Sequence, residues 1–211
     1  METSNILNIV LGLAVVVLTI HLTTAKDSKE TTSNPEEAVL TNIATRTSIR
    51  TYENKTIEKD KIEKMLKAAM AAPTAMNKQP WHFLVVTDKT VLKSLASANP
   101  NASMLATAPL AIVVCGDMDK AIEGGGRDFW IQDASAATQN LLLAAHALGL
   151  GAVWTGTYPS PDRCAAVTTI LHLPANLIPL NTIVIGYPAE SPKPKDKFKQ
   201  ENITYNIYSK N

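Results

Sequence analysis

Two hydrophobic periods run along this chain, and the points where one replaces the other mark its elements. Beyond Thr56, which can cap a helix, Ile62, Met65, Leu66, Ala69 and Met70 recur at three- and four-residue spacing until Pro73 closes the run. Residues 81–87 read as a strand. Residues 111–115 read as a second, buried on both faces, because the apolar run is unbroken up to Gly116. The longest helix follows: Ile131, Ala134, Thr138, Leu141, Ala145 and Leu148 repeat at helical spacing, with Gly149 and Gly151 as its stop. A short strand at 152–155, a helix opened by Ser160 and Pro161, and a strand at 182–185 complete the pattern. The last apolar stretch, 203–208, is β-rich but isolated, so it needs a partner. This alternation predicts a mixed α/β or α+β class, and no internal repeat is present.

The first 25 residues stand apart. Residues 3–25 contain no Asp, Glu, Lys or Arg, and at ~1.5 Å per helical residue they reach ~35 Å, enough for a ~30 Å hydrocarbon layer. The expectation is an uncleaved anchor over residues 1–25, holding the protein at a membrane by one helix, with the topology undecided. The alternative is a cleaved signal peptide and export. Thr23, Thr24 and Ala25 are small enough for cleavage, but the positive n-region of a signal is missing. The polar run 26–37 reads as a linker, which leaves 38–211 as the main domain with a C-terminal arm.

At 211 residues, one core with appendages is the economical organisation. The 20 Lys+Arg are offset by 19 Asp+Glu, so the net charge of +1 offers no chain-wide field for nucleic acid. Cys115 and Cys164 sit among apolar neighbours and read as packing residues, too few for a disulfide framework or a cysteine zinc site.

The chain has no P-loop, no Gly-x-Gly-x-x-Gly after a strand, no Cys-x-x-Cys and no histidine pair at ligand spacing. What remains is anion-binding chemistry. Arg46 and Arg50 stand four apart with the hydroxyls of Thr47 and Ser48 between them, a spacing that on a helical turn faces a phosphate from one side. Lys193, Lys195 and Lys197 alternate beside Pro192 and Pro194, and extended backbone would point them one way. Taken alone, the first cluster also fits a charged surface and the second a solvated tail.

Five segments, in order, resemble the FMN-dependent nitroreductase family across about residues 38–205. Arg46-x-Ser48-x-Arg50 resembles its opening phosphate motif, and the run from Ala72 through Asn77-Lys78-Gln79-Pro80-Trp81 its central flavin loop. The run from Gln132 to Leu142 is similar to the family's long dimer-core helix, and that from Gly149 to Gly156 to the strand beneath the flavin ring. Gly186-Tyr187-Pro188-Ala189-Glu190, with Lys193 to Phe198, resembles the closing segment.

The resemblance implies an α+β fold: a mixed, largely antiparallel sheet flanked by helices, in an interlocked homodimer with FMN at each interface. Carried over by position, Arg46, Thr47, Ser48 and Arg50 would hold the phosphate and ribityl end, joined by Lys195 and Lys197. Lys197 stands where the family often has arginine, and lysine keeps the charge but loses the planar fork. Pro73, Thr74, Ala75, Met76 and Asn77, with Gln79 in the same loop, would wrap the ring from the other subunit. Trp154, Thr155 and Gly156 would lie at the ring, with backbone amides near the N5 edge. The implied activity is hydride transfer from NADH or NADPH through FMN to a nitroaromatic, quinone or similar electron-poor acceptor, in a ping-pong cycle with no catalytic side chain and no metal. Two alternatives belong to other classes: a membrane-anchored reductive dehalogenase on the same fold, and a non-catalytic FMN-binding protein.

Overall fold

The computed structural model describes residues 34–208. The chain divides into two compact units, Met1–Thr41 and Asn42–Asn211. Of the first, only 34–41 is described. It contains the start of helix α1 (Pro35–Thr45), with Glu36 and Glu37 in the first turn at the positive end of the helix dipole.

The second unit is built on one four-stranded sheet of β1 (Trp81–Val86), β2 (Leu110–Asp117), β3 (Gly151–Gly156) and β4 (Leu177–Gly186). The order is β1-β2-β4-β3, and every neighbouring pair is antiparallel. Helices α2 (Lys59–Met70) and α4 (Phe129–Ala147) cover one face, and α3 (Lys89–Ala98) and α5 (Pro161–Leu171) the other. The side-chain alternation of a strand explains why β2 is apolar throughout. Ile112 and Val114 pack with Met65 and Ala69 of α2 and with Ala134 and Leu141 of α4. Ala111, Val113 and Cys115 pack with Leu92 and Leu95 of α3 and Val167 of α5. The strand is therefore buried at every position.

The observed sheet and helices give the α+β, largely antiparallel class that the resemblance implied. Three local expectations change. The second helix begins at Lys59 with Glu58 as N-cap and no side-chain capping bond, so Thr56 does not cap it. Helix α3 lies where no element was expected; its start is fixed by Asp88, whose carboxylate accepts the N–H groups of Thr90 and Val91 at 2.8 and 2.9 Å. The segment 203–208 is not a strand. It follows a 3-10 turn, Gln200–Asn202, in irregular conformation, and no described strand pairs with it. Its apolar side chains Tyr205, Ile207 and Tyr208 stay exposed.

The membrane localisation is also corrected. Among the described residues no helix is long and apolar enough to cross a membrane. The longest, α4, has 19 residues but carries Asp133, Asn140 and His146 and spends its apolar face on the sheet. Residues 1–25, on which the anchor and its signal-peptide alternative rested, lie outside the described residues, and the membrane assignment is withdrawn.

Candidate functional site

The chain after α1 meets the start of β3 and then pairs with the residues that follow β4, before reaching α2. Ser48 forms a parallel bridge with Ala152, and Tyr52 an antiparallel one with Pro188. The Ile49 N–H donates to the Ala152 carbonyl at 3.1 Å, and the Ala189 N–H to that of Thr51 at 2.9 Å. The Tyr52 hydroxyl donates toward the carbonyls of Ile49 (2.6 Å) and Val184 (3.1 Å), and burial, the largest influence on it, pushes its pKa upward. Two glycines opposite each other in the β3–β4 ladder make room for this edge segment. A Cβ on Gly151 would lie 2.7 Å from the Ile49 side chain, and one on Gly186 would lie 2.7 Å from the Tyr52 ring.

The segment is therefore extended, not a helical turn as the spacing of Arg46 and Arg50 had led us to expect. Extended backbone puts positions 46, 48 and 50 on one side, and with the returning tail they line one cleft of about 530 Å³. Its walls bring together Arg46, Thr47, Ser48 and Arg50 with Lys193, Lys195 and Lys197, so five cations converge. None of them forms an ion pair among the described residues. The nearby carboxylate of Glu190 is taken up by backbone: it accepts the N–H of Arg50 and that of Thr51, the latter at 3.0 Å. That of Asp196 accepts the Phe198 N–H at 2.9 Å. A concave site with several cations and no carboxylate in its lining is suited to a multiply charged anion.

A second cleft, about 360 Å³, shares Arg46 and is lined further by Ile49, Leu142, His146, Ala152 and Glu190. Here the Nε2 of His146 is 2.9 Å from the Thr45 hydroxyl. Burial first, and then the Arg46 charge, lowers the pKa of His146.

Trp154, Thr155 and Gly156 continue along β3 from the Ser48 bridge, roughly 7 to 13 Å beyond Ala152 at ~3.3 Å per residue. Trp154 is 38% exposed, while the buried Thr155 hydroxyl donates to the Thr182 carbonyl at 2.7 Å. A Cβ at Gly156 would meet nothing within 4 Å, so the strand ends against open space. The Gly156 carbonyl accepts from Asn99 Nδ2 and Arg163 Nη1, each at 3.3 Å.

The loop after Pro73 forms a separate constellation that lines neither cleft. Its 3-10 turn, Ala75–Asn77, contains Met76 and Asn77 at φ 53°, and Gln79 follows at φ 50°, a conformation that L-residues adopt at a cost of about 1–3 kcal/mol each. Side chains hold it there. Asp133 of α4 accepts the Ala75 N–H at 2.9 Å, and Thr74 Oγ1 accepts the Gln79 N–H at 3.1 Å. The Gln79 amide in turn donates to Asn77 Oδ1 at 3.0 Å. Met76 projects outward, 78% exposed. Asp133 was not singled out in the sequence, although an acid on the alanine-rich face of α4 is the one signal that marks it.

No reactive thiol competes with this reading. Burial pushes the Cys115 thiol up to about 12 and raises that of Cys164. Among the described residues no cluster of His, Cys, Asp and Glu could hold a metal ion.

The model of the Nitroreductase family matches residues 43–100 and 91–187. A protein of Methanothermobacter thermautotrophicus, provisionally named NADH dehydrogenase/NAD(P)H nitroreductase, is 45% identical over 166 residues, spanning 78% of this chain and 85% of that one. A crystal structure from Bacteroides thetaiotaomicron with the same provisional name has 48% identity and a TM-score of 0.77, covering 81% of this chain and 98% of that one. An FMN-dependent nitroreductase from Clostridium difficile has 31% identity and a TM-score of 0.74, covering 80% and 99%. Family model, sequence relatives and solved structures agree, and this chain is a member of the nitroreductase family.

Proposed function

We propose that this protein moves a hydride from NADH or NADPH, by way of FMN, to a nitroaromatic, quinone or similar electron-poor acceptor in a ping-pong cycle. The chain is an FMN-dependent NAD(P)H oxidoreductase, in keeping with its family. Two features of the chain fit that cofactor. The cations of the 530 Å³ cleft, without an ion pair among the described residues, match a phosphate. The open strand end at Gly156, on the same sheet edge, leaves space where a ring could approach backbone.

In this reading Arg46, Thr47, Ser48, Arg50, Lys195 and Lys197 hold the phosphate and ribityl end. Trp154, Thr155 and Gly156 meet the ring edge. Bound FMN would supply the hydride chemistry, so the protein contributes binding, orientation and charge. The strained loop of Pro73, Thr74, Ala75, Met76, Asn77 and Gln79 lines neither cleft of its own chain and presents its residues outward. A second copy of the chain would use it to close the site, with the exposed tail residues Tyr205, Ile207 and Tyr208 packing on the partner. NAD(P)H and the acceptor would occupy the uncovered side of the site in turn.

The convergence of five cations without an ion pair among the described residues, in a cleft whose Ser48 bridges the strand that ends at Gly156, carries this reading. Steady-state kinetics test it. With NADH or NADPH varied at several fixed concentrations of a quinone or nitroaromatic, double-reciprocal lines are parallel if the two substrates share one place in sequence. Lines that intersect, with a ternary complex, would contradict the ping-pong cycle.

A further inference from the structure

Gly156 presents a physical problem that its neighbours solve. It ends β3 against open space, and glycine has more backbone freedom to lose than any other residue. Beyond it the chain turns away, with the N–H groups of Thr157 and Tyr158 both donating to the Leu180 carbonyl at 3.1 and 3.0 Å. Its own carbonyl is gripped from two sides, by Asn99 Nδ2 and Arg163 Nη1 at 3.3 Å each. Neither donor is free to wander. Asn99 is only 6% exposed, and its Oδ1 accepts the Asn101 N–H at 3.1 Å, which fixes the side of the amide that faces Gly156. Arg163 stands in the first turn of α5 and makes no ion pair among the described residues, so its charge is directed at this carbonyl without neutralisation.

We infer that Asn99 and Arg163 are positioning residues for the flavin reaction, which rests on the reading above that β3 ends at the flavin ring. Asn99 and Arg163 together hold the Gly156 peptide in one orientation. Arg163 also places a fixed positive charge behind the strand end. Two-electron reduction leaves the flavin with added negative charge, so a cation there stabilises reduced FMN more than oxidised FMN and raises the readiness to accept hydride. Both side chains act through the Gly156 carbonyl, and neither was distinguishable in the sequence. Their common partner lies 57 residues from Asn99 and 7 from Arg163.

The test compares full-length wild type with Arg163→Met, Arg163→Lys and Asn99→Ala. It measures the affinity for oxidised FMN and the two-electron midpoint potential of the bound flavin. We expect Arg163→Met to bind oxidised FMN within about twofold of wild type but reduced FMN about tenfold more weakly, a fall in potential of about 30 mV for a two-electron couple. The rate of flavin reduction drops with it, while KM for NAD(P)H stays near the wild-type value. Arg163→Lys recovers most of the potential. Asn99→Ala, which keeps the charge, slows reduction with a smaller change in potential. An unchanged potential in Arg163→Met that binds FMN normally overturns the inference and leaves the flavin assignment standing. A wild-type chain that binds no FMN overturns both. If Arg163→Met does not fold, Arg163→Gln decides by the same outcomes.

Discussion

Truncating Arg50 removes its guanidinium from the cleft and leaves the backbone bond from its N–H to Glu190 in place, which makes it a clean probe of anion binding. Arg50→Ala should weaken FMN binding by about 2 kcal/mol, about 30-fold, as the loss of one charge-assisted contact does in a partly buried site. Titration calorimetry checks this, and an unaltered Kd would reduce Arg50 to a surface charge. His146 gives a pH-dependent counterpart. Burial and the Arg46 charge lower its pKa below the ordinary 6.5, so the unfolded chain takes up the proton first as pH falls through that range, and the folded state loses stability there. His146→Gln should therefore lose less stability than wild type between about pH 7.5 and about pH 5.5, measured by urea unfolding. Equal losses in both proteins would show that His146 is not the group responsible. The types of residue at 46, 48 and 50 were legible in the sequence because charge and hydroxyl leave few other uses. Their geometry was not, since a strand edge and a helical turn can each put such a set on one side.

Seating this edge segment depends on the sheet beneath it. Gly151 and Gly186 face each other across β3 and β4, and each has a side chain of the segment pressed where its Cβ would be. Gly186→Ala should cost about 1–3 kcal/mol, the usual penalty of overpacking, and weaken FMN binding as Tyr52 is displaced. Thermal unfolding with a parallel FMN titration measures both, and a variant unchanged in both would show that Tyr52 accommodates the methyl group. On the opposite side of β3, Leu141 of α4 is fully buried against the sheet, and Leu141→Ala should cost about 2–5 kcal/mol by chemical denaturation. Loss of less than about 1 kcal/mol would mean that α4 does not pack as described. Strand β2 and helix α4 were legible because burial on both faces and a 3.6-residue stripe leave strong periodic signals. Helix α3 was missed although Asp88 carries an N-cap signal, because its ten residues are short and its stripe of Val91, Leu92, Leu95 and Ala96 spans barely two turns. The tail at 203–208 has strand composition but no described strand to pair with, and composition cannot supply one.

At the scale of the molecule, one chain presents the pieces of a site on separate surfaces: the cationic cleft with the end of β3, and the strained loop after Pro73. A homodimer would bring the loop of one copy to the cleft of the other, and FMN-loaded protein should sediment as a dimer at micromolar concentration. Removing residues 199–211 should weaken that dimer, since it takes away Tyr205, Ile207 and Tyr208, which are exposed in the single chain. A monomer that retains FMN would contradict the shared site. The cleft should hold FMN that NAD(P)H can reduce, and the visible spectrum of the purified full-length protein tests this most directly. We expect flavin absorbance that is released as FMN on denaturation, is present at one per chain, and bleaches on anaerobic addition of NADH or NADPH. A protein that stays colourless after incubation with FMN, or a bound flavin that neither nucleotide bleaches, would contradict it.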